Sequence, residues 1–176
     1  VLRSLAVAAT LLLGMSPLAA CGSPATHNSA DVAFAQGMVP HHEQALEMTE
    51  LVTSRTDSTH VVDLAQRIAK AQQPEVDRMN GWLRSWGAPV QASSHGAHGH
   101  ADNHGMVDLG NLADLHGTEF DRQWLSLMIQ HHRGAVDMAR EHLDAGTDPE
   151  ARKLAQDVIA AQEKEIAEME SLLPQG

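Results

Sequence analysis

Apolar residues recur at helical spacing along most of the chain. Placed at about 100° per residue, Leu64, Ala65, Ile68, Ala71, Val76, Met79, Trp82, Leu83 and Trp86 share one face. Gln66, Arg67, Lys70, Gln73, Asp77, Arg78 and Arg84 share the opposite one. A stripe of Phe34, Met38, Ala45, Met48 and Val52 precedes it, and a similar stripe of Trp124, Met128, Ala135 and Met138 follows. The pattern predicts long amphipathic helices and no strands. The punctuation agrees. Asp57 or Ser58 can cap the second helix, and Gly87 with Pro89 ends it. Gly117-Thr118 separates a short helix, over about Asn111 to His116, from the third. Gly146 ends the third, and Asp148-Pro149-Glu150 opens the fourth with a capping Asp, a first-turn Pro and an acid. Pro40 falls inside the first helix and predicts a kink just before His41.

The chain also matches itself after a shift of 90 positions. MVPHHEQALEM, Met38 to Met48, aligns with MIQHHRGAVDM, Met128 to Met138. LAQRIAKAQQPEVDRM, Leu64 to Met79, aligns without a gap with LAQDVIAAQEKEIAEM, Leu154 to Met169. Each repeat is a helix pair that cannot bury its apolar face alone. Two stacked pairs predict an all-α four-helix bundle over 31–173, with repeats at 31–87 and 118–173 joined by an insert at 88–117.

Polar residues interrupt the buried faces at matched places. Gln72 and Glu75 lie within the apolar face of the second helix, and Gln162 and Glu165 within that of the fourth. His41 lies inside the first stripe with His42 on its flank, and His131 and His132 repeat the arrangement. Glu43, Gln44, Glu47 and Glu50 are expected to point outward. An inward carboxylate needs a partner or a metal, or else it neutralises. Two readings follow: a buried His–Glu network that fixes helix register, or a metal site in a pseudo-symmetric core. Adjacent His pairs, occurring twice and each bracketed by Met, favour the metal.

Composition narrows the chemistry. The 176 residues include no Tyr, two Phe and three Trp, but twelve His and eight Met. A net charge of −11 argues against a nucleic-acid partner. A single Cys leaves no internal disulfide, Cys₄ zinc site or iron–sulfur cluster within one chain. A di-iron bundle wants about four carboxylates and Glu-x-x-His on two helices, which the core lacks. Calcium and magnesium want oxygen cages. Imidazole with thioether suits copper, as Cu(I) or Cu(II). The insert carries His95, His98, His100 and His104 among Gly, Ala, Ser and Asn, a tract expected to bind metal weakly while staying irregular.

The first twenty residues read as an export signal. Arg3 supplies a basic start, Leu5 to Leu13 an apolar run too short to span a bilayer, and Leu18-Ala19-Ala20-Cys21 resembles a lipobox. Segment 1–20 is therefore expected to be removed, Cys21 to be acylated and to anchor the chain in the membrane at its extracytoplasmic face, and 21–30 to form a tether.

The doubled M-[VI]-x-H-H-x-x-A-[LV]-x-M, the L-x-x-L-H-G-x-x-F-D lead-in from Leu112 to Asp121 and the Q-x-x-E-[VI]-x-x-M of both second helices resemble the bacterial domain of unknown function 305 family. The resemblance runs from about Asp31 to Leu173. It implies a ferritin-like four-helix fold in an exported protein, and it suggests copper binding, since the family includes a copper-binding periplasmic protein. By motif position it maps the binding residues to Met38, His41, His42, Met48, Met128, His131, His132 and Met138. Glu75 and Glu165 join them from the wheel. Gln130 stands where the first repeat has Pro40. The sequence thus reads as a membrane-anchored copper-binding module, not an enzyme, that buffers copper or passes it to a copper-handling partner. Two rivals remain: a dinuclear-metal redox enzyme in the same bundle, and a metal-free interaction lipoprotein with a structural polar core.

Overall fold

The computed structural model describes residues 26–90 and 105–173. The export signal, Cys21 and the insert residues His95, His98, His100 and His104 lie outside the described residues. Four helices make up the fold: α1 (Ser29–Arg55), α2 (Thr59–Ser85), α3 (Gly117–Ala145) and α4 (Pro149–Leu172). α1 packs along α2, α3 packs along α4, and the two pairs meet through α1 and α3. α1 continues through Pro40, and α2 continues through Pro74.

The caps explain where the helices start. The Asn28 side chain accepts from the backbone N–H of Ala30 and Asp31, while Asp31 accepts from the N–H of Asn28, a capping box. Ser58, not Asp57, caps α2. Asp148 accepts from the N–H of Glu150 and Ala151 ahead of Pro149, as the sequence predicts. The short helix expected over Asn111 to His116 is a single 3₁₀ turn, Leu112–Asp114. α3 starts earlier than expected, at Gly117 with His116 as its N-cap, so Gly117 belongs to the helix instead of separating it. A three-residue turn suffices because Leu112, fully buried, needs only one anchor point in the core.

Two apolar clusters fill the bundle. One holds Phe34, Met38, Met79, Leu83, Met138 and Leu154, and the other holds Met48, Leu64, Ile68, Trp124, Met128 and Met169. Met38 of α1 thus shares a cluster with Met138 of α3, and Met48 with Met128, so α1 and α3 cross antiparallel. The Trp124 indole N–H donates to the Met48 carbonyl at 2.9 Å and ties the two helices together. The linker packs Val107 and Leu112 into the second cluster. The equivalent cleft at the other end stays open as a groove of about 170 Å³ lined by Phe34, Met138 and His142 among others.

Asp31 is the tie between the first helix and the second repeat. It is fully buried and accepts from the N–H groups of Asn28, Thr147 and Asp148 and from the Thr147 hydroxyl. Burial pushes its pKa up, but those backbone donors together outweigh burial and hold the carboxyl below its usual value. Replacing Asp31 with Ala strands buried N–H groups in the α3–α4 turn. Urea unfolding should show a loss of about 2–3 kcal/mol. A change below about 0.5 kcal/mol would remove Asp31 from the role of tie.

Candidate metal centre

His41, His42, His131 and His132 are all 0% exposed. Consecutive helical residues point about 100° apart, so both can be buried only where a helix is covered on two sides. α1 and α3 are the helices covered in that way. His41 turns toward α3, where its ring meets that of His131 at 3.7 Å between centroids. His42 turns toward α2, where its Nε2 lies 2.8 Å from Glu75 Oε2. The second repeat does the same: His132 Nε2 lies 2.8 Å from Glu165 Oε2 on α4. The two carboxylate side chains are 20% and 15% exposed, reached from the bundle surface but aimed inward. Within each doublet the rings stand 6.3 Å apart.

The nitrogens left over are the distinctive feature. Both ring nitrogens of His41 and of His131, and Nδ1 of His42 and of His132, are buried without a hydrogen-bond partner. Leaving a buried polar atom unpaired costs about 1–3 kcal/mol. Native cores rarely keep such atoms without a use for them. Burial lowers the His41 pKa well below its usual value, with the nearby imidazoles of His131, His42 and His132 adding to the effect. Burial and the neighbouring His132 and His42 likewise lower His131, to about 3. Both are therefore neutral, with a lone pair available. This donor set fits a metal that accepts imidazole.

The methionines are distributed differently from the motif. Met38 and Met138 lie in one cluster and Met48 and Met128 in the other, so each end draws one Met from each motif. Met79 of α2 joins the first end and Met169 of α4 the second. These two stand at matched repeat positions, and that match was the signal that could have nominated them. Gln72 and Gln162 are 3% exposed, and Gln72 has no hydrogen-bond partner for its side-chain amide. Among the described residues, no three His, Cys, Asp or Glu side chains stand ready around one point. The His41 and His131 rings press on one another at a tilt of 32°, so ligation requires those rings to turn.

Gln44 does not point outward as the wheel expects. Its Nε2 donates to the Val107 carbonyl at 2.9 Å, and its Oε1 accepts from the Val107 N–H at 3.0 Å. This two-way clamp holds the linker across α1 and α3. Gly105, with φ +74°, presses its backbone against Gly134, where no Cβ could fit. A Cβ on Gly105 would also lie 3.0 Å from His41 Nε2, so the linker covers the histidine pair. A second buried pair escaped the sequence reading: His142, 3% exposed, has its Nε2 3.5 Å from Asp31 Oδ1 and stacks on Phe34.

Comparison with known proteins places these residues in a family. The family model described as "Domain of unknown function (DUF305)" matches residues 31–173. A crystal structure of a family protein from Streptomyces coelicolor, described as secreted, is 35% identical, covering 81% of this chain and 89% of that one with a TM-score of 0.73. A family fragment from Deinococcus radiodurans is 33% identical over 82% of this chain and 95% of that one, also with a TM-score of 0.73. CopM in its Cu(II)-bound form is 33% identical over 81% of this chain and 94% of that one, with a TM-score of 0.71. CopM has also been solved in Cu(I)-bound and silver-bound forms. An uncharacterized protein of Acanthamoeba polyphaga mimivirus is 42% identical over 53 residues, and the match spans only 35% of that protein's length.

The neutral histidines give the fold a defined acid response. His131 has a folded pKa of about 3 against about 6.5 when unfolded, so between those values the unfolded chain binds more protons. Its stabilising contribution is complete above about pH 6.5 and falls as the pH drops toward 3. His41 acts in the same direction. Chemical denaturation of metal-free protein should show stability falling by about 1 kcal/mol per pH unit over this window from His131, with His41 adding in the same direction. Replacing both with Leu should flatten the slope; an unchanged slope would mean that these rings do not carry it.

Proposed function

The chain belongs to the domain of unknown function 305 family, and on that footing we propose that it is an exported copper-binding module which buffers copper or passes it to a copper-handling partner. The observation that carries this is the set of buried imidazole nitrogens without a hydrogen-bond partner: both of His41 and of His131, and Nδ1 of His42 and of His132. Met38, Met48, Met128 and Met138 supply thioethers on either side, and Glu75 and Glu165 supply charge. Neutral nitrogen and soft sulfur suit copper, above all Cu(I), and suit zinc or magnesium less. Capture of copper by CopM, a protein of the same fold at about a third identity, supports the reading. A binding role is favoured over a dinuclear redox enzyme because the core offers two carboxylates, both already bonded to histidine. The insert histidines His95, His98, His100 and His104 would add weaker sites.

A relative described as secreted supports an extracytoplasmic setting. No helix among the described residues is long and apolar enough to cross a membrane. Attachment to the bilayer would therefore come through acylated Cys21. Cys21→Ser should move the protein from the membrane fraction to the soluble extracytoplasmic fraction. Retention of the variant in the membrane would reject the lipid anchor.

The copper reading is tested with the insert histidines replaced by Ser. In that background, His41, His42, His131 and His132 are changed together to Gln. Cu(I) affinity should fall at least about 100-fold, and Cu(I) at 100 times its Kd should stabilise the parent by about 3 kcal/mol. If the histidines only set helix register, Cu(I) will leave the parent's melting temperature unchanged. The quadruple variant will then lose stability with or without metal.

A further inference from the structure

We infer that Glu75 and Glu165 are positioning residues that fix the tautomer of His42 and His132, so that each ring presents its Nδ1 lone pair to the metal. This rests on the copper reading and assigns the ligating atom within it. Each carboxylate oxygen lies 2.8 Å from Nε2 of its histidine, through the same atoms and across the same separation of 33 residues in both repeats. An ionised carboxylate can only accept, so Nε2 must carry the hydrogen. A second hydrogen, on Nδ1, would be a buried donor with nothing to bond, because in both rings Nδ1 is buried without a partner; Nδ1 therefore keeps its lone pair.

The opposite tautomer fails on two counts. It would set the Nε2 lone pair against a carboxylate oxygen and leave Nδ1–H as a buried donor with nothing to bond. In each pair Oε2 is committed to the imidazole, so a direct ligand role for Glu75 or Glu165 would fall to Oε1 alone, the outcome that X-ray absorption tests below. The carboxylates therefore act one ring away from the metal, orienting the ligand and raising its basicity. His41 and His131 have no such carboxylate; their ring nitrogens make no well-formed hydrogen bond, with only the backbone of Gly105 beside His41 and that of His41 beside His131, and the two rings touch at a tilt. Each doublet thus contains one fixed ligand and one that can turn. Neutral imidazole nitrogens together with the thioethers at either end of the core favour a soft ion such as Cu(I) or Ag(I).

The test is nitrogen NMR of ¹⁵N-histidine-labelled protein, with Ag(I) as a redox-inert probe. In the metal-free protein, His42 and His132 should show a protonated Nε2 and an unprotonated Nδ1. Ag(I) should shift Nδ1 of both. Glu75→Gln with Glu165→Gln keeps the side-chain shape, but the amide can accept or donate. The metal-free tautomers should then become mixed, and Ag(I) affinity should fall about 10–100-fold. Protonated Nδ1 in the metal-free parent, silver on Nε2, a carboxylate oxygen bonded to silver in X-ray absorption, or unchanged affinity in the double variant would each overturn the positioning role while leaving the metal-binding reading intact. Failure of Ag(I) and Cu(I) to bind the parent at all would overturn the copper reading and, with it, the ligand role.

Discussion

The structure depends on burying two consecutive histidines on each of two crossing helices. A helix face can hide one of two neighbours against a single partner; hiding both takes partners on two sides. That requirement sets the arrangement of the bundle. α1 must lie between α2 and α3, and α3 between α1 and α4. Where α1 and α3 cross, the first histidine of each doublet meets its counterpart, and the second turns to a carboxylate within its own repeat. The crossing is antiparallel, so each end of the bundle receives thioethers from both repeats.

Holding neutral rings in this core costs stability, and the rest of the fold offsets the cost. Trp124 bonds α3 to α1 beside the crossing, and Asp31 locks the start of α1 to the α3–α4 turn with charge-assisted hydrogen bonds. The Arg152 guanidinium donates to the carbonyls of Leu143 and Gly146, closing the end of α3. The exposed ion pairs between α3 and α4, such as Arg140 with Glu163, add little by comparison. The two ends are not equivalent: the linker fills one cleft through Val107 and Leu112, whereas the other remains a groove beside His142. The bundle is therefore asymmetric around a nearly symmetric set of histidines.

Much of this was legible in the sequence. The shift of 90 positions revealed the two helix pairs, and the helical period placed Glu75 and Glu165 inside apolar faces, where the structure pairs each with a histidine. Cap chemistry located the start of α4 correctly because Asp148-Pro149 leaves few alternatives. What stayed hidden needed distance along the chain. The grouping of methionines follows from the antiparallel crossing, which no single-helix pattern encodes. Gln44 looked solvent-facing because a wheel sees only the helix and not the linker laid across it. The role of Asp31 left no mark in the local pattern, because its partners Thr147 and Asp148 lie more than a hundred residues away. The short helix before α3 shrank to one 3₁₀ turn, closed by the Asp114 N–H on the Asn111 carbonyl and the Leu115 N–H on the Leu112 carbonyl and anchored by buried Leu112.

The doublets also account for how a buried site could exchange its cargo. A ligand fixed by a carboxylate gives affinity and geometry, because its orientation is set before the metal arrives. On the copper reading, a ring packed at a tilt against its counterpart, with only backbone groups beside its nitrogens, has no carboxylate to leave when it turns. His42 and His132 have the first character, and His41 and His131 the second. The mobile pair is also the one that the linker covers at Gly105, so the rings that must turn lie next to the segment leading into the histidine-rich insert. A core of four fixed ligands would hold copper tightly and release it slowly; a core of four free ones would collapse into hydrogen bonds of its own. Alternating them along a two-residue step of one helix keeps donor atoms available in a dry interior while leaving two of the rings able to move.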